Sequence, residues 1–130
     1  MGARGVSEPA VGSGGGAGMT VLAVNEVHLV GRLSAPAELR TLPSEAVMCT
    51  FMVVVDRLDT DLRSKQRVDV LSCVAWTPRL RRQVMAWAEG DVVELEGALR
   101  KRFFRTSGGT TASRVEVEVR SARRVRRVAA

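Results

Sequence analysis

The sequence is short of the residue types from which enzymes and disulfide-stapled scaffolds build their sites. Its 130 residues contain one histidine, two cysteines, no tyrosine and only five aromatic residues, two tryptophans and three phenylalanines. A single histidine without a paired-carboxylate setting gives no acid–base or nucleophilic constellation. The two cysteines have no metal-ligand spacing and are too few for a disulfide framework. We therefore expect no enzymatic activity, no metal site and no cofactor.

Long apolar runs are also missing, while positive charge is abundant. No segment approaches the ~20 consecutive apolar residues of a membrane span, so we expect a soluble protein with no membrane partner. Cys49 and Cys73 fall in apolar segments, and free cysteines used as small apolar residues favour a reducing cytoplasm. The net charge is +6 and the pI is near 10.9, which favours a polyanionic partner.

The chain divides into an N-terminal extension and one folded domain. Residues 1–21 are rich in Gly, Ser and Ala and have no hydrophobic period, which is typical of a disordered segment. Residues 22–128 are enough to bury a single core. We predict a disordered extension over 1–21 and one domain over 22–128.

Hydrophobic patterning predicts five strands and one helix. Alternation and β-branched runs place the strands within the segments 25–33, 46–57, 67–76, 91–104 and 114–125. The stretch TPRLRRQVMAWAEG changes to helical spacing, with Thr77 as N-cap, Pro78 in the first turn and Gly90 as the C-terminal cap. This predicts a helix of about three turns. Closure into a barrel would protect the sheet edges, so the prediction is an all-β OB-fold, a five-stranded Greek-key barrel with one helix between strands 3 and 4.

The aromatic residues have different expected roles. Phe51 and Trp87 lie among apolar residues and are predicted to be core. Trp76 ends an apolar strand, and its surroundings leave both core packing and base stacking open. The stretch GALRKRFFRTSGG holds two adjacent phenylalanines, which strand alternation sends to opposite faces. Phe103 shares the side of Leu99 and is predicted to be core, and Phe104 shares the side of Arg102 and is predicted to be an exposed platform.

Several stretches resemble, in order, the bacterial single-stranded DNA-binding proteins of the replication and repair type. They are NEVHLVGRLSAPAELR, TFMVVVDR, DVLSCVAWTPRL and GDVVELEGALRKRFF, and together they extend the resemblance over residues 25–128. The most specific piece is GD followed by a strand with the pattern V-x-x-EG-x-LR-x-R directly after a helix. The resemblance implies sequence-independent binding and protection of single-stranded DNA in replication, recombination or repair.

The resemblance also assigns site residues. Such proteins stack bases on aromatic faces and neutralise phosphates with a cationic groove. On this sequence the stacking positions are Trp76 and Phe104, and the basic positions, together with the cations around Phe104, are Arg40, Arg79, Arg100, Lys101, Arg102 and Arg105. Two further stacking positions of the family fall near residues 58–59 and at Val70, where no aromatic residue stands. Their loss would remove ~2–6 kcal/mol of binding free energy, which dense arginines can offset.

Assembly and partners are implied in the same way. The family typically forms homotetramers and acts in the bacterial cytoplasm in association with the nucleoid. The strands around 47–56 and 68–75 are apolar on both faces, which favours a subunit interface with Val70 and Leu71 as candidates. The sequence stops at VRRVAA without the family's acidic tail, so we expect a tailless variant or paralog and no tail-mediated recruitment of repair proteins. The alternative is a dimeric OB-fold primosome or restart accessory factor that acts mainly through protein partners.

Overall fold

The structure is a computed structural model and describes residues 21–58 and 64–128. Within these ranges the secondary structure comprises the strands and the helix that follow, in chain order: β1 (Val27–Leu33), β2 (Glu38–Thr41), β3 (Val47–Asp56), β4 (Val68–Ala75), α1 (Pro78–Met85), β5 (Val92–Arg105) and β6 (Thr111–Arg126). The extension predicted to be disordered lies outside the described residues, apart from Val21. The domain boundary at residue 22 stays a prediction.

Five of the strands close into a barrel. The sheet runs in the order β1-β5-β6-β4-β3-β2, and a further pairing of β1 with β3 joins its ends. The pairings are antiparallel except that between β4 and β6, which is parallel at Cys73 and Val117. The short β2 is an edge strand added to β3. The predicted five-stranded barrel, with its helix between the third and fourth barrel strands, is confirmed.

The barrel closes where β1 passes very near β3. Arg32 lies opposite Val54, and one residue earlier Gly31 faces the β3 backbone. A Cβ added at Gly31 would lie 2.3 Å from the carbonyl oxygen of Val54 and 2.7 Å from Cγ1 of Val53. Because any side chain would push the strands apart, closure at this point depends on glycine.

The core fills the barrel and is covered by the helix. The rings of Phe51 and Trp87 meet edge to face with centroids 6.0 Å apart, and both residues are buried. Leu80 and Val84 of α1 are buried against the same core. The prediction that Phe51 and Trp87 are core residues is confirmed.

The helix is shorter than its sequence pattern suggested. It starts as predicted, because the Thr77 hydroxyl accepts the N–H of Leu80 at 3.2 Å and Pro78 occupies the first turn. It then ends at Met85 with Ala86 as C-cap, about two turns rather than three. The carboxylate of Asp91 accepts the N–H of Ala88 at 2.9 Å, which stabilises a turn in place of a further helical turn.

The β5–β6 hairpin extends beyond the barrel, and this corrects the prediction for Phe103. By alternation Phe103 shares the face of Leu99, as expected. Leu99 is nevertheless 48% exposed and Phe103 66% exposed. The pairing of β4 with β6 ends at Cys73–Val117, so among residues 21–58 and 64–128 no third strand pairs with the outer part of the hairpin. Phe103 is therefore an exposed residue and not a core residue.

Candidate nucleic-acid interface

A groove of about 510 Å³ opens between the β2–β3 edge and the base of the β5–β6 hairpin. The barrel places side chains from five strands around it, because β2 pairs with β3, β3 with β4, β4 with β6 and β6 with β5. Its lining includes polar, cationic and apolar groups, among them Arg40, Met48, Thr50, Met52, Ser72, Arg102, Arg114 and Glu116. Three arginines from three separate strands therefore meet at one concave surface.

A buried carboxylate orients two of these arginines. Glu116 is buried at the groove, and its Oε1 accepts a hydrogen bond from Nη1 of Arg102 at 3.1 Å. Its Oε2 lies 3.8 Å from Nε of Arg114, the residue directly opposite Arg102 in the hairpin. Nη1 of Arg102 also lies 3.6 Å from the sulfur of Met48. The hydrogen bond holds the Arg102 guanidinium in place before any ligand arrives, which lowers the entropy cost of contacting an anion, and Arg114 lies within ion-pair distance of the same carboxylate.

Phe104 lies on the same face of the hairpin, nearer its tip. The residue is 43% exposed, and the guanidinium carbon of Arg114 lies 5.4 Å from the ring centroid, within cation–π range. Phe103, on the other face, has Nζ of Lys101 5.6 Å from its ring centroid. Phe104 thus combines an accessible aromatic surface with the Arg102–Arg114 pair, whereas Phe103 is directed away from the groove.

Trp76 lies beside the groove rather than in its lining. It follows β4 and is half-buried. The guanidinium of Arg81 donates to the carbonyl oxygens of Trp76 at 2.5 Å and of Val47 at 3.1 Å. Val47 in turn pairs with Thr41 of β2, which lines the groove. The backbone of Trp76 is therefore next to the β2 end of the groove.

The fold places the other basic residues assigned from the sequence in three different regions: the groove, the hairpin and the helix. Arg40 lines the groove and has Glu38 as a loose partner at 3.9 Å. Arg100 donates to Glu118 at 2.7 Å on the hairpin. Two exposed cations also lie on the hairpin, Lys101 and Arg105. Arg79 is exposed on the first turn of α1 and shares no lining with the groove.

Arg114 and Glu116 were missed by sequence reasoning. The stretch from 105 to 113 looked like one loop, which put Arg114 at the start of a strand with no partner. In the structure the strands continue to Arg105 and Thr111, and Thr106 accepts the N–H of Gly109 across a short turn. Counting strand register outward from the glycine pair would have placed Arg114 opposite Arg102.

The two interface candidates point in different directions. Val70 lies opposite Val54 and is 54% exposed on the outside of the β3–β4 pair. Leu71 lies opposite the fully buried Val53 and is itself half-buried, so it shares the inward face. Met52, two residues along β3 from Val54, is also exposed. The exposed apolar patch on this face consists of Met52 and Val70.

The Cys73 thiol and the Glu94 carboxyl both have a pKa displaced from its usual value. Burial, with a smaller effect of Glu116, raises the pKa of the Cys73 thiol to about 12. Both cysteines are free and buried, so they remain thiols in the interior. Hydrogen bonds from His28 and Arg123 hold the pKa of the Glu94 carboxyl below its usual value.

Residues 21–58 and 64–128 contain no group of three or more His, Cys, Asp or Glu side chains arranged to hold a metal ion. In the same part of the chain no helix has both the length and the apolarity needed to cross a membrane.

The closed barrel with one covering helix and a cationic groove defines an OB-fold. The model of the single-strand binding protein family matches residues 24–125, and the chain belongs to this family. A solved structure entitled "Plasmodium falciparum SSB complex with ssDNA" superposes with a TM-score of 0.68 at 16% identity, covering 82% of this chain and 99% of that one. This likeness confirms the fold.

Curated relatives carry names that match the family. Single-stranded DNA-binding protein A of Bacillus subtilis is 30% identical over 98 residues, 75% of this chain and 57% of that protein. Single-stranded DNA-binding protein 2 of Listeria innocua is 29% identical over 98 residues, 75% of this chain and 62% of that protein. The matched part of the chain thus spans about three fifths of the length of these relatives.

Proposed function

We propose that this protein binds single-stranded DNA without sequence preference and protects exposed strands in replication, recombination or repair. The observation that carries the proposal is the groove in which Arg40, Arg102 and Arg114 converge beside the accessible ring of Phe104. Membership of the single-strand binding protein family supports it, as do the names of the relatives. We further propose that the protein acts in the bacterial cytoplasm in association with the nucleoid.

The groove suits an anionic strand with unpaired bases. Guanidinium groups form charge-assisted hydrogen bonds with phosphate oxygens, and their fixed orientation by Glu116 directs them into the groove. An aromatic face accepts any base, because every base has a π-surface, and each stack contributes ~1–3 kcal/mol. No element of the proposal reads base edges, so we expect binding that depends on chain length and salt rather than on sequence.

The assigned residues contribute in different ways. Arg40 and Arg102 contact phosphates in the groove, and Arg100 extends the cationic surface along the same face of the hairpin. Lys101 and Arg105 lie on the face of Phe103 and contribute long-range positive charge to the strand. Phe104 stacks a base near the hairpin tip. Trp76 stacks a base at the β2 end of the groove, beside Arg79 on the first turn of α1.

Tryptophan fluorescence tests this assignment directly. Trp76 is partly accessible, whereas Trp87 is buried against Phe51. Saturating poly-dT should therefore quench emission in wild type and in Trp87→Phe, and Trp76→Phe should abolish the quench. If poly-dT binds by anisotropy but leaves the emission of Trp87→Phe unchanged, Trp76 is not a stacking residue. Absence of any poly-dT binding at low salt would refute the function itself.

The protein is further proposed to act as a homo-oligomer, with the homotetramer as the expected state. The support is Val70, an apolar residue that is 54% exposed on the β3–β4 face and does not line the groove, since exposed apolar surface is more often covered in the working assembly. Light scattering should give a multiple of the chain mass. Val70→Glu should lower that mass while the far-UV spectrum stays unchanged. A monomeric wild type would exclude the oligomer.

The same experiments address the accessory-factor alternative. A dimer with weak oligonucleotide affinity would favour it. The family match and the relatives' names favour single-stranded DNA binding instead.

A further inference from the structure

Five exposed arginines border α1 and the end of β6. Arg79 and Arg82 lie on the helix, Arg120 lies within β6, and Arg126 and Arg127 lie at its carboxyl end. Within residues 21–58 and 64–128, none of the five makes a hydrogen bond or an ion pair through its side chain. We call this set the basic end.

Specific contacts hold these arginines at the helix-bearing side of the barrel. The side-chain amide of Gln83 donates to the carbonyl oxygen of Ala122, which fixes α1 against β6. The buried carboxylate of Asp91 accepts the N–H of Ala88 at 2.9 Å and the N–H of Val128 at 2.8 Å. The segment that carries Arg126 and Arg127 is thereby attached to the loop that follows α1.

The basic end differs from the groove in how its charges are balanced. In the groove Arg102 and Arg114 share Glu116, and Arg40 has Glu38. At the basic end the segment 119–128 has five arginines and no acid, and two of these arginines are paired with Glu94 and Asp91.

In the segment 77–91 the acids are Glu89, which is exposed, and Asp91, which is buried and already engaged. Like charges without ion-pair partners repel one another, and this repulsion does not stabilise the fold. Such a cluster is suited to a polyanion outside the fold.

The basic end is continuous with the groove but shares no residue with its lining. Trp76 lies beside the β2 end of the groove, and three residues later Arg79 begins the basic end on α1. Along β6 the two regions occupy different parts of the strand, since Arg114 lies near its start and Arg126 is its last residue.

We propose that the basic end is a second binding surface for the same DNA strand, which leaves the groove past Trp76 and runs along α1 toward the end of β6. The inference rests on the proposed single-stranded DNA binding and extends it. It requires a strand longer than the groove alone can hold.

Oligonucleotide length distinguishes the two surfaces. OB-folds occlude roughly 4–16 nucleotides, so a labelled dT of about 6 residues reports the groove and one of about 30 reports both surfaces. Arg126→Gln with Arg127→Gln should leave the affinity for the short strand unchanged. For the long strand, the slope of log K against log salt should become shallower by ~1.4, since each phosphate contact contributes ~0.7. Arg82→Gln should act from the helix side, leaving the short strand unaffected and making the long-strand slope shallower by ~0.7.

A matched control separates this effect from net charge. Arg32→Gln with Arg123→Gln also removes two positive charges, but both residues are exposed and already paired, with Asp56 and Glu94. This control should alter neither strand in a length-dependent way. Light scattering on each variant shows whether the assembly is intact.

The outcomes are distinct. If wild type binds both strands and the basic-end variants match the control, the second surface is refuted while the proposed function stands. If the slope falls equally for both lengths, the arginines belong to the groove site, and the inference is also refuted. If wild type binds neither strand, the proposed function fails first.

Discussion

The two adjacent phenylalanines of the hairpin allow a prediction with an internal control. Phe104→Ala should weaken single-stranded DNA binding, and Phe103→Ala should not. Both side chains lie on the same two-stranded hairpin and are largely accessible, so neither truncation should unfold the barrel. They differ in the face they occupy, because Phe104 shares the side of Arg102 and Arg114 and Phe103 shares the side of Leu99.

The expected magnitudes follow from exposure and from stacking. Removing one aromatic platform costs ~1–3 kcal/mol of binding free energy, which is roughly a 5- to 150-fold loss of affinity. Complete burial of a phenylalanine contributes ~1.5–3 kcal/mol to folding. With 66% exposure, Phe103 retains about a third of that, ~0.5–1 kcal/mol, and with 43% exposure Phe104 retains ~1–2 kcal/mol.

Two measurements on each variant test the argument. Anisotropy titration with labelled dT at fixed salt gives the affinity, and thermal unfolding without DNA gives the stability. We expect a loss of at least fivefold in affinity for Phe104→Ala and a change below twofold for Phe103→Ala. Equal losses in the two variants would mean that the hairpin contributes only charge and general shape. A larger loss for Phe103→Ala would show that the strand binds the opposite face.

Three further predictions concern the groove, the barrel closure and acid stability. Arg40→Gln should make the salt slope of dT binding shallower by ~0.7. The melting temperature should change little, since the only ion pair of Arg40 in the described part of the chain is a loose one with Glu38. An unchanged salt slope would show that Arg40 does not contact a phosphate. Gly31→Ala should destabilise the fold by ~1–3 kcal/mol in urea titration, because the added Cβ would meet the Val54 backbone. Gly108→Ala should be close to neutral, because the nearest atom to its added Cβ is 3.9 Å away. Equal effects of the two substitutions would contradict this explanation. The pKa of Asp91 is lowered, mainly by the N–H groups of Ala88 and Val128, so its stabilisation is present above the unfolded pKa and is lost as pH falls through the lower folded value. Asp91→Asn should therefore lower the melting temperature at pH 7 and flatten its decrease below about pH 4, and an unchanged acid profile would disprove the assignment.

The barrel was predictable because its strands carry strong local signals. Runs such as TFMVVVDR and the alternation after Arg114 are too regular for loops, and the Thr77–Pro78 pair marks the one helix. The order of five strands and a helix then leaves closure as the simplest way to protect the edges. The core positions of Phe51 and Trp87 follow from the same patterns.

The groove was less predictable because it depends on distances that a pattern does not contain. Alternation gave the correct face of Phe103. It could not show that the pairing of β4 with β6 ends at Cys73 and Val117, short of the part of the hairpin that carries Phe103. The burial of Glu116 has a similar origin. This acid alternates outward on its strand, yet in the structure it is buried with Arg102 and Arg114 as its ion-pair partners.

The arrangement of arginines around Glu116 bears on the missing aromatic platforms. The resemblance to the family implies two further stacking positions, at Val70 and near residues 58–59, where no aromatic residue stands, and two such platforms would contribute ~2–6 kcal/mol in total. A phosphate contact that contributes ~0.7 to the salt slope is equivalent to ~1 kcal/mol at 0.1 M salt relative to 1 M. Several such contacts on the groove and hairpin arginines can therefore replace two stacked bases at low salt. They cannot do so at high salt, because the stacking free energy persists as the counterion contribution disappears. The affinity of this protein should accordingly fall more steeply with salt than that of a relative with a full set of aromatic platforms.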